Sequence, residues 1–130
     1  MTAALPTLAP GETIRNAIIK STMLGIEDHG IMTFFVFVEW PGAGCGLGGY
    51  ALDRQLRHCA IPHGSAIGYQ AIRQILETVG VLTWEKLPGT HVRIVDEGLG
   101  HGLTRIGHFM DDRWFDIREW MKDAREGDAP

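Results

Sequence analysis

The chain has 130 residues, 45% apolar and 22% charged, which suits one compact domain with a single core and is too short for a two-domain enzyme. A net charge of -4 and a pI near 5.8 argue against a module that grips long DNA or RNA through a basic face. A mean hydropathy of -0.02 argues against wholesale disorder, and the longest apolar run, residues 31–38, falls far short of the ~20 residues that a membrane helix needs.

Residues 1–11 carry Pro6, Pro10 and Gly11 with little periodicity, and 126–130 are small and polar, so the reading is a single domain over 12–125 between flexible termini. No signal-type stretch opens the chain, and Cys45 and Cys59 do not resemble a secreted disulfide framework, so the expected location is the cytoplasm. Residues 12–23, with Ile14, Ala17, Ile18 and Ile19, read as a strand, and 25–30 supply a turn. Residues 31–40 are apolar on both pleat faces, as in a central strand covered on two sides. Residues 41–49 read as a glycine-rich loop, 50–52 as a short third strand, and 53–65 as irregular and exposed.

From Ala66 the apolar positions Ile67, Ala71, Ile72, Ile75, Leu76 and Val79 recur at three and four, between a Ser65 N-cap and a Gly80 stop; this predicts the main helix. A single helical turn over 83–87 places Trp84 at a corner of the fold. Residues 91–95 and 103–109 form a second hairpin, and 116–125 a short C-terminal helix. The class is α+β: a mostly antiparallel sheet of about five strands, one main helix after the third strand and a short helix at the end.

No pattern nominates catalysis. Gly44, Gly46 and Gly49 satisfy G-x-G-x-x-G after a strand, but no helix follows to face a phosphate, so a flexible loop is the better reading. His29, His58, His63, His101 and His108 with Cys45 and Cys59 lack metal-ligand spacing, and no metal or cofactor is expected. Glu27, Asp28 and His29 read as a hydrogen-bonded turn rather than a triad.

Arginine supplies nine of the twelve basic residues, a bias suited to a small anionic ligand, although a GC-rich genome would raise it everywhere. With a turn over 97–101, Arg93 stands directly across from Arg105 on one face, where two cations need a carboxylate or a bound anion between them; a four-residue turn removes that argument. Trp84, Trp114 and Tyr50 are candidates to stack on a base, with Arg113 beside Trp114; the competing reading is that the tryptophans cap the core.

Four stretches then carry a resemblance: Ile18-Ile19-Lys20-Ser21-Thr22-Met23-Leu24-Gly25-Ile26-Glu27-Asp28-His29-Gly30-Ile31; Gly48-Gly49-Tyr50-Ala51-Leu52-Asp53; Trp84-Glu85-Lys86-Leu87-Pro88-Gly89; and Ile106-Gly107-His108-Phe109 with Asp112-Arg113-Trp114-Phe115. Together they resemble a small family widespread in phages and prophages, identified here as the Thoeris anti-defence family, first type. The resemblance implies a non-catalytic sponge that sequesters glycocyclic ADP-ribose, the signal of host TIR-domain proteins, in the host cytoplasm. Some members of that family also hold cyclic oligonucleotides at a second site. It further implies a homo-oligomer, dimer or hexamer, whose pocket combines an aromatic stack with arginines: Trp84 for the stack and Arg57, Arg105 and Arg113 for phosphates. Two rivals stand beside it. One is a phage inhibitor that binds a host defence protein directly through acidic residues and the sheet edge; the other is a small nucleotide hydrolase using one of the histidines.

Overall fold

The computed structural model describes residues 4–55, 58–98 and 100–127. The element order is β1 (Thr13–Ile26), β2 (Met32–Trp40), β3 (Ala43–Gly48), the two-residue strands β4 (Asp53–Arg54) and β5 (His63–Gly64), α1 (Ala66–Val79), a 3-10 turn (Trp84–Lys86), β6 (His91–Asp96), β7 (Arg105–His108), β8 (Trp114–Asp116) and α2 (Ile117–Gly127). Six strands form one sheet in the order β3-β2-β1-β6-β7-β8, antiparallel throughout, and β4 pairs with β5 apart from it. The class is therefore the α+β fold expected. Among the described residues no helix is long and apolar enough to cross a membrane.

One sheet face is closed. Ala17 and Ile19 of β1, Phe34, Val36 and Val38 of β2, Leu47 of β3, Val92 and Ile94 of β6, Ile106 of β7 and Phe115 of β8 point into the core with Ala71, Ile75 and Val79 of α1 and Ile117 and Trp120 of α2. α1 packs on β7, β8 and α2, Leu103 bridges to Leu47 of β3, and Leu87 is buried in the same core. Burying each such Leu, Ile, Val or Phe side chain contributes ~1.5–3 kcal/mol before chain entropy is charged. α1 begins where the sequence places it. Ser65 Oγ accepts the Gly68 N–H at 2.9 Å and donates to the Leu52 carbonyl at 2.9 Å, and Gly80, at φ 88°, ends the helix by donating to the Leu76 carbonyl.

Three expectations change. Residues 43–48 are not a loop but the edge strand β3, and 50–52 are not a strand. Glycine is depleted in strands because it packs nothing, yet here it is used: a Cβ on Gly48 would sit 2.2 Å from the Phe34 carbonyl oxygen, and one on Gly46 would press on the Phe37 ring at 3.1 Å. Residues 31–40 are not at the middle of the sheet, which belongs to β1 and β6, and they are not covered on two sides. The outer face of β2 shows water a stacked pair, Phe35 and Phe37, with centroids 5.3 Å apart and Phe37 39% exposed. Lastly, β1 carries an irregularity at Lys20, so Ala17 and Ile19 face the core before it and Thr22 pairs with the inward Val36 after it.

Candidate ligand-binding site

The second hairpin sets the site. Its register is Val92↔His108, Arg93↔Gly107 and Ile94↔Ile106, two positions off the expected one, with the connection running over 97–104 rather than 97–101. A shift of two keeps every side chain on its face, so Arg93 and Arg105 still share the outer face but stand diagonally, not directly across. Trp114 of β8 stands opposite Gly107, where a Cβ would come within 2.5 Å of the indole, so the ring lies over β7 toward Arg93.

The result is a row on one face in which Arg93 lies against the Trp114 ring and Arg105 lines a cleft with it. The Arg93 guanidinium carbon lies 5.4 Å from the Trp114 ring centroid, within cation–π range. Arg93 Nε donates to the His108 carbonyl at 2.9 Å, and Nη2 donates to the Asp111 carbonyl at 2.8 Å and approaches Asp112 Oδ1 at 3.4 Å. Arg105 Nη1 donates to the Thr7 carbonyl at 3.1 Å, and its Nη2 lies 2.9 Å from Glu12 Oε1. Glu12 also accepts the Ala9 N–H at 2.8 Å; that backbone bond and the Arg105 guanidinium hold its carboxyl below the usual carboxylate range. The repulsion anticipated between the two arginines is thus relieved by the chain's own acids and carbonyls.

A cleft of about 310 Å³ opens beside the row, walled by residues 4–7, Arg105, Trp114, Asp116 and Glu119. Trp114 is nearly buried, and its Nε1–H has no hydrogen-bond partner among the described residues. A buried donor left unpaired costs ~1–3 kcal/mol.

The other nominated residues lie elsewhere. Arg113, one residue before Trp114, points to the opposite side, against Gly80 at the end of α1; its Nη2 is 3.5 Å from Asp111 Oδ2, and its buried Nε has no hydrogen-bond partner among the described residues. It shares a second cleft, about 520 Å³, with Arg73, Leu76, Glu77, Val81 and Leu82. Trp84 packs edge-on against Phe34 at 6.2 Å, and its buried Nε1 likewise has no partner among the described residues. Tyr50 contributes its carbonyl to Thr33 and its ring to the core margin. Arg57 lies outside the described residues. The structure therefore joins Arg93, Arg105 and Trp114 and sets Arg113 and Trp84 apart from them.

Sequence reasoning missed Glu12 and the 108–113 loop, which supply the counter-charges. The Glu12–Arg105 pair spans a sequence separation that no local spacing encodes. Glu27 behaves as the turn residue anticipated, its carboxylate accepting from the His29 and Ile31 amides at 2.6 and 3.3 Å. Among the described residues no group of three or more His, Cys, Asp or Glu is placed to hold a metal.

Compared with known proteins, the chain matches no family model, no curated protein and no solved structure.

Proposed function

We propose that this chain is a phage anti-defence protein that captures a small nucleotide signal in the host cytoplasm, glycocyclic ADP-ribose and in some settings cyclic oligonucleotides, and holds it without cleaving it, as a homo-oligomer. The observation that carries the reading is the cleft shared by Arg105 and Trp114. There Trp114 and Arg105, whose guanidinium is held by the chain's own carboxylate Glu12, line one cleft, and the buried indole N–H of Trp114 has no partner among the described residues. A ligand phosphate can take the place of Glu12 on that guanidinium, because the arginine fork accepts either anion in bidentate geometry. A sponge needs affinity rather than turnover, and its residues need only bind and bury. Trp84, Arg57, Arg93 and Arg113 remain the further residues proposed to contribute.

The test is isothermal titration with glycocyclic ADP-ribose and with cyclic di- and trinucleotides, followed by heating and mass spectrometry of what is released. Tight binding with release of unchanged ligand is expected. Arg105→Ala should weaken it at least ~10-fold, or about 1.4 kcal/mol. Glu12→Gln should tighten it, since the competing anion is gone. Absence of heat with every nucleotide refutes the proposal, and recovery of a cleaved product replaces it with the hydrolase reading.

A further inference from the structure

The segment before β1 is tied to the sheet through one residue. It turns over 9–12, where the Glu12 amide donates to the Ala9 carbonyl at 3.1 Å, and its residues 4–7 wall the cleft of about 310 Å³ that Arg105 and Trp114 share. It adds nothing to the core: Leu5 is 55% exposed and Leu8 40%, and no residue of 4–12 joins the buried cluster. Among the described residues every hydrogen bond and ion pair from 4–12 to the rest of the fold runs to Arg105. Its Nη1 donates to the Thr7 carbonyl and its Nη2 pairs with Glu12, with 11% of the arginine side chain and 14% of the glutamate side chain exposed. The remaining bonds join Ala9 to Glu12 inside the segment.

One guanidinium thus holds the segment at two points, a backbone carbonyl and a carboxylate. Both are oxygen acceptors on donors that an incoming oxyanion also uses, so the three compete for one fork. A segment without strand pairing or buried apolar side chains opens at the low end of the free-energy range within a fold. What keeps this one closed is the arginine.

We infer that residues 4–12 form a strap along the Trp114 cleft with Arg105 as its single latch, and that an anion taking the Arg105 fork releases Thr7 and Glu12 and frees the strap. The inference rests on the binding reading above, since the same fork receives the ligand's phosphate. Strap and phosphate are then mutually exclusive on Arg105, and the cleft loses its outer wall in the step that fills it. Breaking the Glu12–Arg105 pair frees the strap with no ligand present.

Chymotrypsin cleavage after Leu8 reads the strap, with cleavage after the exposed Leu82, beyond α1, as internal reference. Glu12→Gln keeps the shape of the side chain and removes its charge; it should speed cleavage after Leu8 at least ~10-fold and leave the rate after Leu82 unchanged. Arg105→Gln should do the same, with thermal melting to show that it folds; if it does not, Glu12→Gln and the unaltered chain decide. Inorganic pyrophosphate should speed the cleavage after Leu8 in the unaltered chain and add nothing in Glu12→Gln, whereas sodium chloride at matched ionic strength should have little effect on a pair this enclosed. Equal cleavage after Leu8 in the unaltered chain and Glu12→Gln overturns the latch. Release by the variants but not by pyrophosphate or a bound nucleotide overturns the exchange. If glycocyclic ADP-ribose binds while Leu8 stays protected, the strap falls and the nucleotide reading stands; if pyrophosphate frees the strap and no nucleotide binds, the reverse holds.

Discussion

Replacing Gly107 by alanine tests the row at its centre. The added Cβ would lie 2.5, 2.6 and 2.8 Å from Cδ2, Cε2 and Cε3 of Trp114, so the indole must retreat by about 1 Å to reach ordinary contact. The ring has little room to do so, since Trp114 is 2% exposed and Arg93 lies against it. Overpacking of this kind costs ~1–3 kcal/mol, offset by roughly 0.5 kcal/mol from the smaller backbone entropy of alanine. The net is about 1.5 kcal/mol, or a fall in Tm on the order of 5–8 °C for a domain of this size. Thermal unfolding followed by circular dichroism measures it, with Gly102→Ala as the control, because a Cβ there meets nothing within 4 Å. The control should melt within about 2 °C of the parent. If Gly107→Ala melts with the control, Trp114 does not lie over Gly107 and the row is wrong.

Gly68→Ala sets two effects against each other: alanine gains up to ~1 kcal/mol of helix propensity, but its Cβ would fall 2.0 Å from the Leu52 carbonyl oxygen, which Ser65 also holds. The clash should win, and a variant more stable in urea than the parent would show that it does not. Ser65→Ala, which removes the α1 N-cap, should cost ~1–2 kcal/mol in the same assay, with Ser65→Asp recovering part of it. Asp96 is held below its usual range by Arg15 and the Gly98 amide, and Glu12 by Ala9 and Arg105. Carboxyls depressed in the folded state lend stability that is complete above their unfolded values and disappears as pH falls through the folded ones. Tm should therefore drop as pH falls below the ordinary carboxylate range, and less steeply in Asp96→Asn; equal slopes would contradict the assignment.

What the sequence disclosed follows physical lines. α1 was legible because its apolar spacing, its Ser65 cap and its Gly80 stop agree with one another. β3 was not, because its glycines carry no pattern and earn their place only from rings on the neighbouring strand. β8 is three residues long, too short for alternation to register. The β6–β7 register escaped because a slip of two residues leaves the hydrophobic pattern intact and only loop length distinguishes the choices. That Arg93 and Arg105 share a face was legible for the same reason. Which acid neutralises each was not, since Glu12 reaches Arg105 only through the folded chain.

The bare outer face of β3 also constrains how this protein can vary. Gly46 and Phe37 are cross-strand partners, and the ring lies so close over the glycine that a methyl there would stand 3.1 Å from two of its carbons. Phe37 is free to swing toward water, so alanine at 46 alone would fold while lifting the ring off the strand. A smaller side chain at 37 alone would leave the strand backbone uncovered. Each change is a loss by itself and the two together compensate, so positions 37 and 46 are expected to drift as a pair, with a non-additive term of ~0.5–3 kcal/mol between them.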